Sequence, residues 1–297
     1  MMEKIINNYL QYLKDIKNLD DKTIKSYLPA IKEMIEYCGF KSIDDINNSD
    51  VITLQSWINK KQKEGLGSQS INRRIASAKS FFGFLIAKRH ISFNPAKELK
   101  ALKVPTKSKI SNLNEIKMIR DFLKNRYDSK PNFNNLRNRL IIDMMLCTGL
   151  RNTELRSIDV NTINPITGEF EVIQKGGTIK QCVLNDSTLL LYNQYLHERE
   201  KISAKDNSLF ISSYKSRISS KGLEKIVSNL CEDMNIDHLT PHSFRHMCGS
   251  SLCEAGVPIE KVAKILGHSS SQTTYRWYMH QSDEDRRAVV NDNPIFK

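Results

Sequence analysis

Four side chains that suit phosphodiester chemistry lie within one short segment, residues 239–280. His242 and Arg245 are three positions apart, His268 follows Leu-Gly, and Tyr278 lies ten residues beyond that histidine. A guanidinium binds phosphate through paired N–H donors and stays charged at any working pH. A phenol is a poor nucleophile at its ordinary pKa of about 10, and a cluster of cations favours its phenolate. The segment therefore predicts a tyrosine that attacks an anionic phosphodiester.

Two further features lie upstream of this segment. Arg151 stands in TGLRNTEL, residues 148–155, at a turn between a helix that ends at Gly149 and the next helix. Glu154 is predicted to support Arg151, although an ordinary helical ion pair has the same spacing. Lys175 precedes two glycines that let a hairpin bend sharply, and a solvated turn lysine is the plainer interpretation. Each signal is weak alone, and their combination carries the prediction.

The elements that position these residues are predicted from apolar periodicity and turn signals. Pro241 after Thr240 marks a helix start, and Gly256 and Gly267 mark helix ends. Alternating apolar residues around a Gly-Gly pair predict a β-hairpin over residues 168–185. The predicted helices of the second half are 113–127, 134–147, 186–202, 220–234, 241–255, 258–266 and 271–281.

The first ninety residues are predicted to form a compact unit of four helices. The lysine-rich stretch that follows, residues 94–111, contains two prolines and has weak periodicity, so it is predicted to be an interdomain linker. The four helices are predicted to begin near Met2, at Asp20 or Asp21, after Asp50, and at Ser68 or Ser70.

Charge points to a polyanionic partner. The chain of 297 residues has a net charge of +12, with 20 Lys and Arg against 11 Asp and Glu in residues 1–110. This excess favours nucleic acid and suggests that the first third of the chain grips a phosphate backbone. An inert basic surface is the alternative that charge alone does not exclude.

Composition indicates a cytoplasmic protein without cofactors. The six cysteines form no C-x-x-C pair, which favours reduced thiols in the cytosol, and the N-terminus lacks the apolar core of a signal peptide. No stretch is long and apolar enough to span a bilayer. There is no H-E-x-x-H, no Cys/His ligand cluster and no phosphate-binding G-x-x-x-x-G-K-[ST] loop, so neither a metal nor ATP is expected.

These motifs, in this order, resemble those of the tyrosine recombinase family, also called the phage integrase family, over nearly the whole chain. TGLRNTEL resembles the family's first arginine box, and VIQKGGTIKQCVL resembles its lysine hairpin. Residues 241–280 resemble the joined H-x-x-R, L-G-H and tyrosine boxes of Xer-like and transposon-integrase-like members. SINRRIASAKSFFGFLI, residues 70–86, is similar to the last helix of the core-binding domain in Xer-like members.

The resemblance implies a fold that is mainly α with a small β-sheet, built as a two-domain C-shaped clamp around duplex DNA. An N-terminal helical core-binding (SAM-like) domain is expected over residues 1–95, followed by a linker over 96–111. The catalytic domain with its C-terminal tail is expected over 112–297. The implied activity is site-specific recombination, in which DNA is cut, exchanged and resealed through a 3′-phosphotyrosyl link without metal or ATP.

The resemblance also implies which residues hold the phosphate. Arg151 and Arg245 would bind the non-bridging oxygens of the scissile phosphate, and His268 would add a hydrogen bond. Arg73, Arg74 and Lys79 are candidates for DNA binding outside the site, although a solvated helix face is nearly as good an interpretation for each of them. This set predicts phosphate contacts in both domains.

Three residues are assigned to bond making and proton transfer on the same resemblance. His242 would accept the phenolic proton, and Lys175 would protonate the departing 5′ oxygen. Tyr278 would attack phosphorus. Many Xer-like members place the tyrosine nine residues after the L-G-H histidine, a position that Trp277 occupies here. Tyr275, seven residues after that histidine, is the competing nucleophile, and Tyr278 is preferred. One extra residue rotates a helical side chain by about 100°, so the spacing decides which phenol faces the phosphate.

The implied assembly is a homotetramer on two DNA sites. Tails of this family often dock into a neighbouring protomer, and the apolar tail residues here are Val289, Val290, Ile295 and Phe296. Two other functions stay open: a type IB topoisomerase that relaxes supercoils as a monomer, and a DNA-binding protein with a decayed site. Chain length and the N-terminal pattern argue against the first, and the complete residue set argues against the second.

Overall fold

The computed structural model describes residues 2–19, 21–104, 113–174 and 176–267. The chain divides into two units, Met1–Lys107 and Ser108–Lys297. Over the described ranges it is mainly helical with one two-stranded antiparallel sheet, so the predicted fold class is confirmed. None of the helices in these ranges is long and apolar enough to cross a membrane. The predicted helix at 271–281 lies outside the described residues.

The first unit contains the four predicted helices and one that was not predicted. Asp50 caps its helix as expected, because its carboxylate accepts a hydrogen bond from the backbone N–H of Thr53 at 2.8 Å. The last helix of the unit begins at Ser68, as one of the two predicted starts has it. The helices are α1 (Met2–Asp15), α2 (Asp21–Cys38), α3 (Ile43–Asn47), α4 (Val51–Lys63) and α5 (Ser68–Ala87).

The unpredicted helix, α3, is too short for apolar periodicity to reveal it. A reciprocal cap starts it: Ser42 Oγ accepts from the backbone N–H of Asp45, whose carboxylate accepts from the N–H of Ser42. Its single fully buried residue, Ile46, joins the core of the unit. A capping pair and one apolar residue are therefore enough for a helix of five residues once a core is present.

The core of the first unit is aromatic at its centre. Trp57 is fully buried, and the ring of Tyr9 meets that of Phe81 edge to face at 5.2 Å. The Tyr9 hydroxyl donates to Ser80 Oγ at 2.9 Å, which satisfies its polar end. These contacts join α1, α4 and α5 into one hydrophobic cluster.

The chain after α5 stays packed on the first unit. Ala96 and Leu99 are buried in its core. The side-chain amide of Asn72 donates to the carbonyl of Leu102 at 2.9 Å and accepts from its N–H at 2.7 Å. The part of the predicted linker before residue 105 thus runs along α5, and the predicted domain boundaries stay a prediction.

The second unit is organised around one helix that is buried on nearly all sides. This is α7, which packs against α6, α9 and α11 and contains the apolar run from Leu140 to Met145. The helices are α6 (Leu113–Ser129), α7 (Phe133–Thr148), α8 (Asn152–Ser157), α9 (Asp186–Glu200), α10 (Ser220–Met234), α11 (Pro241–Glu254) and α12 (Ile259–Leu266).

The hairpin predicted between α8 and α9 is present as β1 (Glu169–Ile173) and β2 (Ile179–Val183). The strands pair antiparallel, with Glu169 opposite Val183 and Ile173 opposite Ile179. Every second residue is buried, so one face lies on the core. The buried face of β2 carries Lys180 beside Cys182, and this brings a buried amine to the end of α7.

Candidate active site

The C-terminal end of α7 is the centre of the candidate site. The helix ends at Gly149 in the left-handed conformation, with φ of 61°, and Leu150 is buried directly after it. A Cβ at Gly149 would lie 2.5 Å from Leu266 Cδ2, so a larger residue would displace Leu266 and strain the positive-φ backbone. Arg151 follows this tight turn and is the N-cap residue of α8.

Arg151 is held by the carboxylate of Glu154. One carboxylate oxygen accepts from the backbone N–H of Arg151 at 2.8 Å, and the other accepts from its Nη1 at 2.6 Å. Glu154 is 2% exposed, whereas the Arg151 side chain is 34% exposed. Burial raises the pKa of Glu154, but the bonds and charge of Arg151 outweigh it and keep that pKa below its ordinary value. The two groups therefore form an ion pair in which Glu154 is buried and about one-third of the Arg151 side chain is exposed.

Arg245 reaches the same turn from α11. Its Nη1 donates to the carbonyl of Gly149 at 2.7 Å, although the two residues are 96 positions apart. The side chain is 2% exposed. Because Gly149 is two residues before Arg151, this bond brings the second predicted arginine to the loop that carries the first.

His242 lies one helical turn before Arg245, where the cap of Thr240 starts α11. Desolvation of the ring, and then the positive charges of Arg245 and Arg151, lower the pKa of His242 below its ordinary value. A neutral imidazole accepts a proton, which is what the predicted base requires. The His246 ring meets that of His242 edge to face at 4.6 Å, and burial lowers the pKa of His246 to about 4.

The structure thus brings Arg151, Glu154, His242 and Arg245 together. The catalytic roles of these residues stay predictions. Lys175, His268, Tyr278, the alternative Tyr275 and the apolar tail residues from Val289 to Phe296 lie outside the described residues.

The immediate neighbours of Lys175 and His268 do lie in the described part. Gln174 precedes Lys175, and Gly267 precedes His268. The amide Nε2 of Gln174 donates to the carbonyl of Gly267 at 3.2 Å, and Nη2 of Arg151 donates to the same carbonyl at 3.3 Å. Gln174 and Gly267 therefore both lie close to the Arg151 turn.

Sequence reasoning missed Lys180. Its Nζ donates to the carbonyl of Thr148 at 2.8 Å, one residue before the carbonyl that Arg245 binds. Burial lowers the pKa of Lys180, and the nearby charge of Arg245 acts in the same direction. The alternating pattern of β2 was the signal that could have found it. Lys180 is two residues from Cys182 and therefore lies on the same inward face of the hairpin, where a lysine is unusual.

The three predicted DNA-binding residues lie on α5 of the first unit. Arg73 is exposed, and Lys79 is half-buried. Arg74 donates from Nε to Glu33 Oε2 at 2.8 Å, and Lys61 pairs with the same carboxylate. Part of the Arg74 guanidinium is therefore engaged within the unit, whereas the exposed side chain of Arg73 faces solvent. DNA binding by these residues stays a prediction.

Known proteins are similar to this chain along nearly its whole length. It is 28% identical over 294 residues to the tyrosine recombinase XerD of Staphylococcus haemolyticus, covering 98% of each. It is 27% identical over 283 residues to XerC of Corynebacterium glutamicum, covering 95% of this chain and 89% of the other.

Solved structures show the same fold. The Tn1549 transposon integrase in complex with transposon right end DNA superposes with a TM-score of 0.80 at 18% identity, covering 97% of this chain and 99% of the other. XerH bound to palindromic difH substrate gives a TM-score of 0.76 at 19% identity, with 97% and 84% covered.

Fold, site and relatives together define a tyrosine recombinase, an enzyme of site-specific DNA recombination. The chain belongs to the phage integrase family: the family's own pattern matches residues 109–285, and that of the phage integrase N-terminal SAM-like domain matches residues 6–89. The predicted family, enzyme class and function are confirmed, and the comparisons give no support to the topoisomerase alternative.

Proposed function

We propose that this recombinase binds a specific duplex DNA site and cuts and rejoins it through a 3′-phosphotyrosyl intermediate. The observation that carries the proposal is that two arginines from distant parts of the chain come to the same turn. Arg245 binds the carbonyl of Gly149, and Arg151 follows that turn with about one-third of its side chain exposed. Two planar cations at one place suit the two non-bridging oxygens of a phosphodiester.

The electrostatics of the cluster support an anionic ligand. Arg151, Arg245 and Lys180 lie near one another, and Glu154 is the carboxylate that the described part places among them. Buried charges of one sign are costly unless a counter-charge is present. A scissile phosphate supplies that charge, and the added negative charge of the transition state is stabilised further.

The proposed step balances in atoms and protons. The phenolic oxygen of Tyr278 forms a bond to phosphorus as the bond to the 5′ oxygen breaks. His242 accepts the phenolic proton, and Lys175 supplies a proton to the departing 5′ oxygen. His268 donates a hydrogen bond to the phosphate. Attack by a 5′ hydroxyl reverses the step, so resealing needs no ATP.

The two units are proposed to divide the work of binding. Residues 1–95 would act as the core-binding domain, 96–111 as the linker and 112–297 as the catalytic domain of a clamp around DNA. Arg73 is the best placed of the DNA-binding candidates, because its side chain is exposed. The Tn1549 integrase and XerH structures contain DNA, which supports a duplex as the partner. A tetramer, tail docking between protomers and a cytoplasmic location are part of the proposal.

The test is covalent trapping on a nicked duplex. A binding duplex is selected from random-sequence DNA, and a nick close to the cut site lets the short 5′-hydroxyl fragment diffuse away, so that the covalent complex accumulates. The wild-type chain is expected to form a complex that resists denaturant, and Tyr278→Phe is expected to abolish it. Tyr275→Phe is the matched control and is expected to trap normally.

Each alternative predicts a different result. If Tyr278→Phe still traps and Tyr275→Phe does not, the nucleophile is Tyr275. A wild-type chain that binds the duplex but never traps is a DNA-binding protein with a decayed site. Recombinant products from two matched duplexes, read by gel, distinguish strand exchange from relaxation of supercoils.

A further inference from the structure

Gln174 shares two hydrogen-bond acceptors with Arg151. Its Nε2 donates to the carbonyl of Gly267 at 3.2 Å and lies 3.5 Å from Oε1 of Glu154. Arg151 donates to the same two atoms, from Nη2 to the carbonyl at 3.3 Å and from Nη1 to the carboxylate at 2.6 Å. One amide nitrogen thus lies against both groups that orient the guanidinium.

The packing around this amide is close. Gly267 ends α12 in the left-handed conformation, with φ of 67°. A Cβ at this position would lie 2.1 Å from Nε2 of Gln174. The absence of a side chain at Gly267 is therefore what lets the amide reach the carbonyl, and the contact joins the end of β1 to the end of α12.

The side-chain contacts of Gln174 do not belong to the hairpin itself. It lies just beyond β1, and its side chain is half-buried. Gln181, on the solvent-facing side of β2, binds Glu171 within the hairpin at 2.5 Å. The amide of Gln174 instead leaves the hairpin and contacts α8 and α12.

We propose that Gln174 is a positioning residue for Arg151: by holding the carbonyl of Gly267 and the carboxylate of Glu154, it sets the direction in which the guanidinium meets the scissile phosphate. This inference rests on the proposed role of Arg151 in phosphate binding. Gln174 itself does not touch the reacting atoms. A displacement of a reacting or binding group by about 1 Å costs up to about 100-fold in rate.

The experiment is a double-mutant cycle on single-turnover cleavage of the nicked duplex. Gln174→Met keeps the length of the side chain and removes the donor, and it is expected to slow cleavage by about 10-fold to 100-fold. DNA affinity is expected to change less than 3-fold, because remote phosphate contacts dominate affinity. Gln181→Met is the matched control: it removes a glutamine from the same hairpin and is expected to cleave at the wild-type rate.

The second arm of the cycle uses Arg151→Lys, which keeps the charge and loses the fork that binds both acceptors. If Gln174 acts through Arg151, Gln174→Met is expected to slow the Arg151→Lys enzyme less than 3-fold further. An equal effect of Gln174→Met in both backgrounds overturns the inference, as does a wild-type rate for Gln174→Met alone. A crystal structure of Gln174→Met gives an independent readout, and an unmoved Arg151 guanidinium also overturns it.

Failure of the proposed function looks different. If Arg151→Lys cleaves at the wild-type rate, Arg151 is not the phosphate-binding group, and the inference falls with that assignment. If Arg151→Lys is slow and the cycle shows no coupling, the proposed function stands and only the role of Gln174 is wrong. Gln174→Glu adds a check, because a carboxylate cannot donate to the carbonyl and repels Glu154; it is expected to be slower than Gln174→Met.

Discussion

Replacing Glu154 with glutamine tests whether a buried ion pair holds the Arg151 turn. The substitution keeps the size of the side chain and removes its charge. Glu154 is the carboxylate that the described residues place beside Arg151 and Lys180. Glu154→Gln therefore leaves these cations with less compensation and turns a charged acceptor pair into one neutral oxygen.

The size of the effect follows from the burial of the two partners. Removing one member of a fully buried ion pair costs about 3–5 kcal/mol. Arg151 is about one-third exposed, so water solvates part of its charge, and the glutamine oxygen still accepts one hydrogen bond. We therefore expect the free energy of unfolding of the second unit to fall by about 2 kcal/mol. For a unit of this size the corresponding fall in Tm is about 4–8 °C.

The pH dependence has a definite sign. The pKa of Glu154 is lower in the folded chain than its ordinary value of 4.5, because the bonds from Arg151 outweigh the cost of burial. The carboxylate therefore contributes stability that is fully present above about pH 4.5 and is lost as the pH falls through the folded pKa. The difference in stability between wild type and Glu154→Gln is expected to be largest at neutral pH and to shrink below about pH 4.5.

Urea unfolding at pH 7 and pH 4 measures this prediction. Glu169→Gln is the matched control, since Glu169 is an exposed carboxylate of the same unit, and it is expected to change stability by less than about 0.5 kcal/mol. A loss below about 0.5 kcal/mol for Glu154→Gln, or a loss that does not depend on pH, refutes the reasoning. Either result means that Arg151 is held by something other than this carboxylate.

Three further substitutions test the neighbouring contacts. Gly149→Ala is expected to lower stability by about 2–4 kcal/mol in thermal unfolding, because its Cβ would meet Leu266 at 2.5 Å and its φ is positive; a loss under 1 kcal/mol contradicts the tight turn. Lys180→Met is expected to change stability at pH 7 by less than about 1 kcal/mol in urea, since relief of a buried charge offsets the lost bond to the carbonyl of Thr148. Raising the pH towards 10.5 is expected to stabilise the wild type and not Lys180→Met, because burial lowers the pKa of this amine; equal pH profiles count against that account. Asp50→Ala is expected to cost the first unit about 1 kcal/mol in urea, and an unchanged midpoint means that the cap contributes nothing.

Local signals predicted most of the elements that carry the site. The apolar run of α7, the Gly149 stop and the Thr240-Pro241 start are written in neighbouring residues, and the structure has each of them. Helix α3 was missed because five residues do not complete two helical turns, so the capping pair of Ser42 and Asp45 was its only mark. Apolar periodicity is recognisable only in a helix of several turns, and a cap stabilises a short helix only when that helix also packs on a core.

The candidate residues were found by type and spacing, but their contacts were not. The pairing of Arg151 with Glu154 follows from their separation of three at the start of α8, where Glu154 caps the helix. The bond from Arg245 to the carbonyl of Gly149 joins residues 96 positions apart, and no local pattern encodes such a bond. The contacts of Lys180 and Gln174 likewise depend on how the hairpin packs against the ends of α7 and α12.

The class of protein, the order of its elements and the side chains with suitable chemistry were all predictable before any fold was known, because they depend on residue type and short-range spacing. The partners of those side chains became known from the folded chain alone. At the end of α7, backbone carbonyls, a carboxylate and several cations are packed close together. Which of them form hydrogen bonds depends on contacts between residues that are far apart in the sequence.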